Sequence, residues 1–274
     1  MGKISEINRV YYERIYRHRS PVLHLLHTWL SFDQQSKSRN NYLFASPLLN
    51  EIVAERGKAK LLDYGSGWGS FLLKISDKAV NLYGYDISQN AINSLRISMR
   101  LLGRTLNDIH ITKDGEIYPD DFDLIVCSHV LEHVESDDTL LFQLKQALRP
   151  GGYLLLNVPI NEVWEDPKHA RRYSREVLEQ KMVNIGLKVF GCWMFDRWSG
   201  FLLRHQMAGT TDLQKKLLLK ILRGLLALLP YKVCTASEDF FLKEEMYQQL
   251  VVIGGLPLNK SNHNSRGNLR CMKD

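Results

Sequence analysis

In the stretch FDLIVCSHVLEHV, His129, Glu132 and His133 stand at i, i+3 and i+4, so a helical turn after the apolar run would put all three on one face. Histidine beside a carboxylate is a pairing that can remove or deliver a proton near neutral pH. A second polar cluster, EDPKHARRYS, supplies His169, Arg171, Arg172 and Tyr173. His133 and His169 are therefore candidate general bases, with His129 a third. Arg171, Arg172 and Tyr173, with Tyr11 and Tyr12 near the N-terminus, are candidates for holding a substrate. The competing reading is structural: Glu132 and His133 cap a helix and brace a loop.

Upstream, LLDYGSGWGS follows an acid, Asp63, and Tyr64 with Gly65, Ser66, Gly67, Trp68 and Gly69. A strand ending in an acid, a glycine loop and then a helix form the first turn of a nucleotide-binding βαβ unit. The next apolar run, NLYGYDIS, reaches Asp86, twenty-three residues after Asp63. An acid at that distance can accept hydrogen bonds from a ribose diol. Ser70 stands where a dinucleotide loop has its third glycine. That departure weighs against NAD, but an NAD-binding enzyme stays open as a reading of another class.

These residues need a sheet to position them. Short apolar runs at 60–64, 80–85, 108–112, 122–127, 152–158, 187–194 and 248–254 alternate with helical patterns near 68–77, 88–102, 137–148 and 174–185. The alternation predicts an α/β fold, a mostly parallel sheet with helices on both faces. Residues 1–56 read as a helical N-terminal cap and 57–258 as the core. About fifty residues, 197–246, intervene before the last strand as an insertion, and the polar tail 259–274 is expected to be disordered.

The ordered set LLDYGSGWGS, GYDIS, CSHVLEHV and LRPGG, within residues 40–195, resembles class I S-adenosylmethionine-dependent methyltransferases of the type 11/23-like kind. The resemblance implies a Rossmann-like seven-stranded sheet, with S-adenosyl-L-methionine as donor and S-adenosyl-L-homocysteine as product. Carried over by position, Asp63, Tyr64, Gly65, Ser66, Gly67, Trp68 and Gly69 would wall the donor, and Asp86 would hold its ribose. Ile87 would pack on the adenine, with Asp114 and Gly115 near the adenine amino group. Ser128 and His129 would border the methionyl part. Two groups of such enzymes, the ubiquinone-biosynthesis O-methyltransferases and the small-RNA 3′-end 2′-O-methyltransferases, place a related ExxEH cluster on a divalent metal. Glu132, His133 and His169 are the corresponding metal alternative here, with His129 replacing the first Glu.

The acceptor is expected to be a small-molecule biosynthetic intermediate, apolar or lipid-linked, methylated on oxygen. C- or N-methylation of a natural product or sugar is the alternative, and a non-catalytic partner protein of the same fold is the reading of another class. In LQKKLLLKILRGLLALL (213–229), Lys215, Lys216, Lys220 and Arg223 fall within an arc of about 140° and apolar residues cover the rest. Such a helix can lie in a membrane interface, pack on a core or close over an apolar substrate. The chain has 36 Lys and Arg against 30 Asp and Glu, with the excess dispersed, so a nucleic-acid track is not expected. Four cysteines without a CxxC pair suggest free thiols. With no apolar leader and no long apolar span, the expected location is cytoplasmic, peripheral at the inner membrane face if the basic helix binds lipid.

Overall fold

The computed structural model describes residues 3–16, 20–112, 116–162, 166–207 and 213–257. Three helices come first: α1 (Lys3–Ile15), α2 (Pro21–Leu30) and α3 (Phe32–Arg56). Then follow β1 (Ala59–Tyr64), β2 (Val80–Tyr85), α4 (Gln89–Leu101), β3 (His110–Ile111), β4 (Ile117–Tyr118) and β5 (Phe122–Ser128). The second half holds α5 (Asp137–Gln146), β6 (Leu148–Pro159), α6 (Arg175–Asn184) and β7 (Lys188–Phe195). Helices α7 (Arg197–Met207), α8 (Leu213–Leu228) and α9 (Tyr231–Phe241) precede β8 (Gln249–Gly255).

Six strands form the main sheet in the order β2-β1-β5-β6-β8-β7. β2, β1, β5 and β6 run parallel, and β8 is antiparallel to both its neighbours. Successive side chains on a strand point to opposite faces. Leu62, Ile125, Leu154 and Val252 accordingly join one apolar layer with α5 and α6, while Leu61, Leu124, Leu155 and Val251 join another with α3 and α4. Burial on both faces explains why these strands read as continuous apolar runs.

The expected seventh strand is the main difference. Among the described residues, only Asn107 makes a parallel bridge on the free edge of β2, to Tyr83, and His110–Ile111 pairs antiparallel with Ile117–Tyr118. His110 is exposed and Ile111 only partly buried, so the run has too little apolar surface to extend the sheet. The helix expected at 68–77 contracts to a 3-10 turn, Leu72–Lys74. The tail 259–274 lies outside the described residues.

Candidate active site

β1 ends at Tyr64, and the chain turns through Gly65 (φ 82°) and Gly67 (φ 49°). The amides of Gly65 and Ser66 both donate to the Tyr85 carbonyl, at 2.7 and 2.8 Å, tying the loop to the end of β2. A methyl group on Gly65 would stand 2.1 Å from a Val130 methyl, and one on Gly67 would stand 2.6 Å from the Tyr16 hydroxyl. Left-handed backbone and close approach therefore both call for glycine. Gly69 packs on Leu95 of α4 and does not line the cavity.

Asp86, just past β2, accepts from the Gly67 amide through Oδ2 at 2.8 Å and from the Ser88 amide through Oδ1 at 2.9 Å. Each oxygen keeps a further lone pair for a ligand hydroxyl. Burial pushes the Asp86 carboxyl up to about 6 against the pull of those two amides. Burial, then the neighbouring Asp86 charge, pushes Asp63 up to about 8. Two carboxyls raised in this way favour a cationic ligand, which relieves both effects. The buried Ser66 hydroxyl has no hydrogen-bond partner among the described residues. Glycine cradle, diol acceptor, acidic wall and open hydroxyl all fit a nucleoside carrying positive charge.

β5 delivers the second half of the site. After Ser128, His129 adopts a left-handed φ of 55° and its amide donates to the Asn157 carbonyl at 2.8 Å. A 3-10 turn, Leu131–His133, follows. Glu132 is 1% exposed, with His129 Nδ1 and His133 Nε2 at 3.4 and 3.9 Å from its Oε1. Neither carboxylate oxygen accepts a hydrogen bond of proper geometry among the described residues. Burial alone would raise the Glu132 carboxyl, but His129 and His133 outweigh it and hold it down at about 2. Burial, with Lys37 adding, takes His129 down to about 4, and burial also lowers His133. At neutral pH the cluster is a carboxylate among neutral imidazoles.

The His133 tautomer follows from its partners. Nδ1 lies 3.1 Å from the Lys168 carbonyl, which can only accept, so Nδ1 carries the proton. Nε2 is therefore basic and accepts from the Tyr12 hydroxyl at 3.0 Å. The His169 ring stands edge-on to His133 with centroids 4.7 Å apart, and its Nδ1 lies 2.5 Å from Glu162 Oε1. Glu132, His133 and His169 can each offer an atom to one point, the three atoms lying within 4.8 Å of one another.

α1 covers both halves. Asn8 donates to the carbonyls of His133 and Lys168 at 3.0 and 3.3 Å, and Glu13 accepts from the Ser88 hydroxyl. Tyr16 stands edge-on to Trp68, centroids 4.8 Å apart. Beneath lies a cavity of about 620 Å³ running from the glycine loop to the histidines.

Of the residues expected from sequence, Asp63, Tyr64, Gly65, Ser66, Gly67, Trp68, Asp86, Ile87, Ser128 and His129 line this cavity, as do Tyr11, Tyr12, His133 and His169. Arg171, Arg172 and Tyr173 do not. Arg171 donates to the carbonyls of Leu131, Val134 and Glu135 at 3.2, 2.8 and 2.5 Å, and the Tyr173 hydroxyl donates to Asp137 at 2.7 Å. Arg172 pairs with Glu162 at 3.4 Å. A short turn leaves carbonyls open, and a guanidinium meets them; Arg171 and Tyr173 brace the loop after β5, while Arg172 pairs with the cavity-lining Glu162. Asp114 and Gly115 lie outside the described residues. Sequence reasoning missed Asn8, Glu13, Lys37 and Glu162, whose only signal was polarity in otherwise helical or loop stretches.

The methyltransferase domain family matches residues 35–205 of the chain. The mitochondrial ubiquinone biosynthesis O-methyltransferase of Schizosaccharomyces pombe is 33% identical over 143 residues, covering 48% of this chain and 51% of that protein. The ubiquinone biosynthesis O-methyltransferase of Pseudomonas aeruginosa UCBPP-PA14 is 26% identical over 139 residues, covering 48% and 58%. The chain thus spans about half the length of these curated relatives. Among solved structures, the [4+2]-cyclase SpnF superposes with a TM-score of 0.52 at 18% identity, over 77% of this chain and 81% of its own. A sarcosine dimethylglycine methyltransferase-like protein from Galdieria sulphuraria gives 0.50 at 15%, over 80% and 88%. Those structures speak for the fold alone, and a cyclase among them shows that this fold does not dictate one reaction. With residues 35–205 matching the family and the glycine loop, Asp86 and the β5 cluster in place, the chain belongs to the methyltransferase domain family, the class I enzymes that use S-adenosyl-L-methionine.

Proposed function

We propose that the protein transfers a methyl group from S-adenosyl-L-methionine to an oxygen of an apolar or lipid-linked small molecule. When bound, the donor supplies an activated methyl group on a sulfonium, so the protein's task is to align the acceptor and remove its proton. Gly65 and Gly67 let the backbone approach the donor, Asp86 accepts from its ribose, and Asp63 faces its positive charge. The acceptor hydroxyl passes its proton to the Tyr12 oxygen as Tyr12 passes its own to His133 Nε2, which ends as the imidazolium. The observation carrying this reading is that basic Nε2, fixed by the Lys168 carbonyl, on a wall continuous with the donor loop. The O-methyltransferase names of the curated relatives support oxygen as the acceptor atom.

Calorimetry with S-adenosyl-L-homocysteine, and turnover with a polyprenyl phenol, test the reading together. Binding lost in Asp86→Ala, with turnover but not binding lost in His133→Ala, is the expected pair of results. Tight NADH binding in place of S-adenosyl-L-homocysteine would overturn it.

A second reading rests on Glu132. A buried carboxylate without hydrogen-bond donors is costly, and two histidines converge with it on one point. That donor set fits a divalent metal held by Glu132, His133 and His169, which would lower the pKa of an acceptor hydroxyl. The measurement is turnover after EDTA dialysis: loss, with recovery on adding magnesium or zinc, favours the metal over the free base.

A further inference from the structure

The amphipathic pattern of α8 is turned the opposite way from that of a helix packed by its apolar side alone. Leu219, Leu222, Leu226 and Ala227 do face inward, against Leu202 and Cys234. Yet Leu217, Leu218, Ile221, Leu225 and Leu228 are each more than half exposed, and at 100° per residue they form a stripe about 100° wide. The helix cannot roll to hide them, because Arg39 of α3 donates to the carbonyls of Leu226 and Ala227 at 3.2 and 2.5 Å. α2 packs against α8 and repeats the pattern. Val22, Leu23, Leu26, Trp29 and Leu30 are exposed, Trp29 at 64%, while His24 on its inner side donates to the Trp68 carbonyl at 2.7 Å.

Charge identifies what covers this surface. Lys215 and Lys220 are exposed on α8, each about 60° beyond one edge of the leucine stripe, and neither α2 nor α8 holds an acidic residue. Two copies meeting through this face would bring those like charges together. An anionic lipid surface would both take up the leucines and neutralise the cations. The cavity reaches the same region: its wall includes Tyr11 and Ile15 of α1, which are themselves exposed, and Leu203 and Arg223 from α7 and α8.

We propose that the outward faces of α2 and α8 form one docking surface for an anionic lipid bilayer, which presents a membrane-dissolved acceptor to the cavity mouth between α1 and α8. The surface stands on its own exposure and charge; only the identity of what it delivers rests on the proposed methyl transfer to an apolar acceptor.

Flotation of the full chain with vesicles tests it, using phosphatidylcholine alone and phosphatidylcholine with phosphatidylglycerol. Binding is expected only to the anionic vesicles, falling at least about tenfold in Leu218→Asp/Ile221→Asp and in Lys215→Glu/Lys220→Glu. These positions are exposed, so the variants should keep the wild-type circular dichroism and their affinity for S-adenosyl-L-homocysteine. No flotation with anionic vesicles, or flotation unchanged in both variants, overturns the docking surface. So does a dimer in vesicle-free solution that Leu218→Asp/Ile221→Asp dissociates, since a second copy would then be the occupant. Loss of S-adenosyl-L-homocysteine binding by the wild-type chain would instead defeat the methyl-transfer reading and leave flotation to decide the surface.

Discussion

The Tyr12 hydroxyl donates its proton to His133 Nε2 across 3.0 Å, because the other ring nitrogen is committed to the Lys168 carbonyl. A residue of the N-terminal helix thereby sets the state of an imidazole just past the end of β5. The hydrogen bond favours the neutral imidazole, and burial acts in the same direction.

Tyr12→Phe removes that donor and makes His133 easier to protonate. The acidic limb of the turnover–pH profile should move to higher pH, with kcat falling roughly three- to tenfold and His133→Ala costing about 10²-fold or more. An unshifted limb in Tyr12→Phe would show that His133 is not the titrating base.

Donor affinity should rise with pH. Asp86 titrates at about 6 and Asp63 at about 8 in the donor-free protein, and a cation is held best when both are ionised. Calorimetry should show S-adenosyl-L-methionine binding at least about tenfold tighter at pH 8 than at pH 6, with the upper part of the rise lost in Asp63→Asn. Stability of the donor-free protein runs the other way. A folded-state pKa above the unfolded value means the native state holds more protons, so Asp63 makes melting temperature fall as pH rises from about 6.5 to about 8, while below that window the buried His129 and His133, lowered by burial, contribute the opposite slope.

Gly67→Ala should weaken S-adenosyl-L-homocysteine by about tenfold or more, since φ is 49° and the new methyl would meet the Tyr16 hydroxyl at 2.6 Å. Pairing it with Tyr16→Phe should recover part of the loss. If the pair recovers nothing, the strain lies in the backbone and not in the Tyr16 contact.

Glu132→Gln keeps the shape of a 1%-exposed side chain and removes its charge. Turnover should fall about 10²-fold with donor affinity unchanged. Metal content by mass spectrometry separates the two readings of the cluster. A stoichiometric ion lost in Glu132→Gln and in His169→Ala supports ligation, and none in the wild type supports the free base.

The glycine-loop side of the cavity was legible because its determinants are local. Asp63, the glycines and Asp86 sit at the ends of adjacent parallel strands, where chain order fixes spatial order. His133 and His169 were legible as chemistry, but not as neighbours; they meet only because β5 and β6 are paired. Arg171 and Tyr173 lie outside the cavity lining, and a polar residue near a site gives the same sequence signal whether it faces a ligand or an open carbonyl. The third strand failed for a related reason, since 108–112 has the right position but not the apolar surface. α8 shows the limit of periodicity, which finds two faces on a helix but cannot say which one turns outward.

α1 lies over the glycine loop and His133 at once. Tyr16, just past the end of α1 and bonded through its amide to the Tyr12 carbonyl, stands against the glycine loop, and Tyr12 one turn earlier stands against His133. Were this helix to lift and free the glycine loop, Tyr12 would leave His133 in the same movement. Release of a ligand from the loop and proton transfer at His133 would then exclude each other.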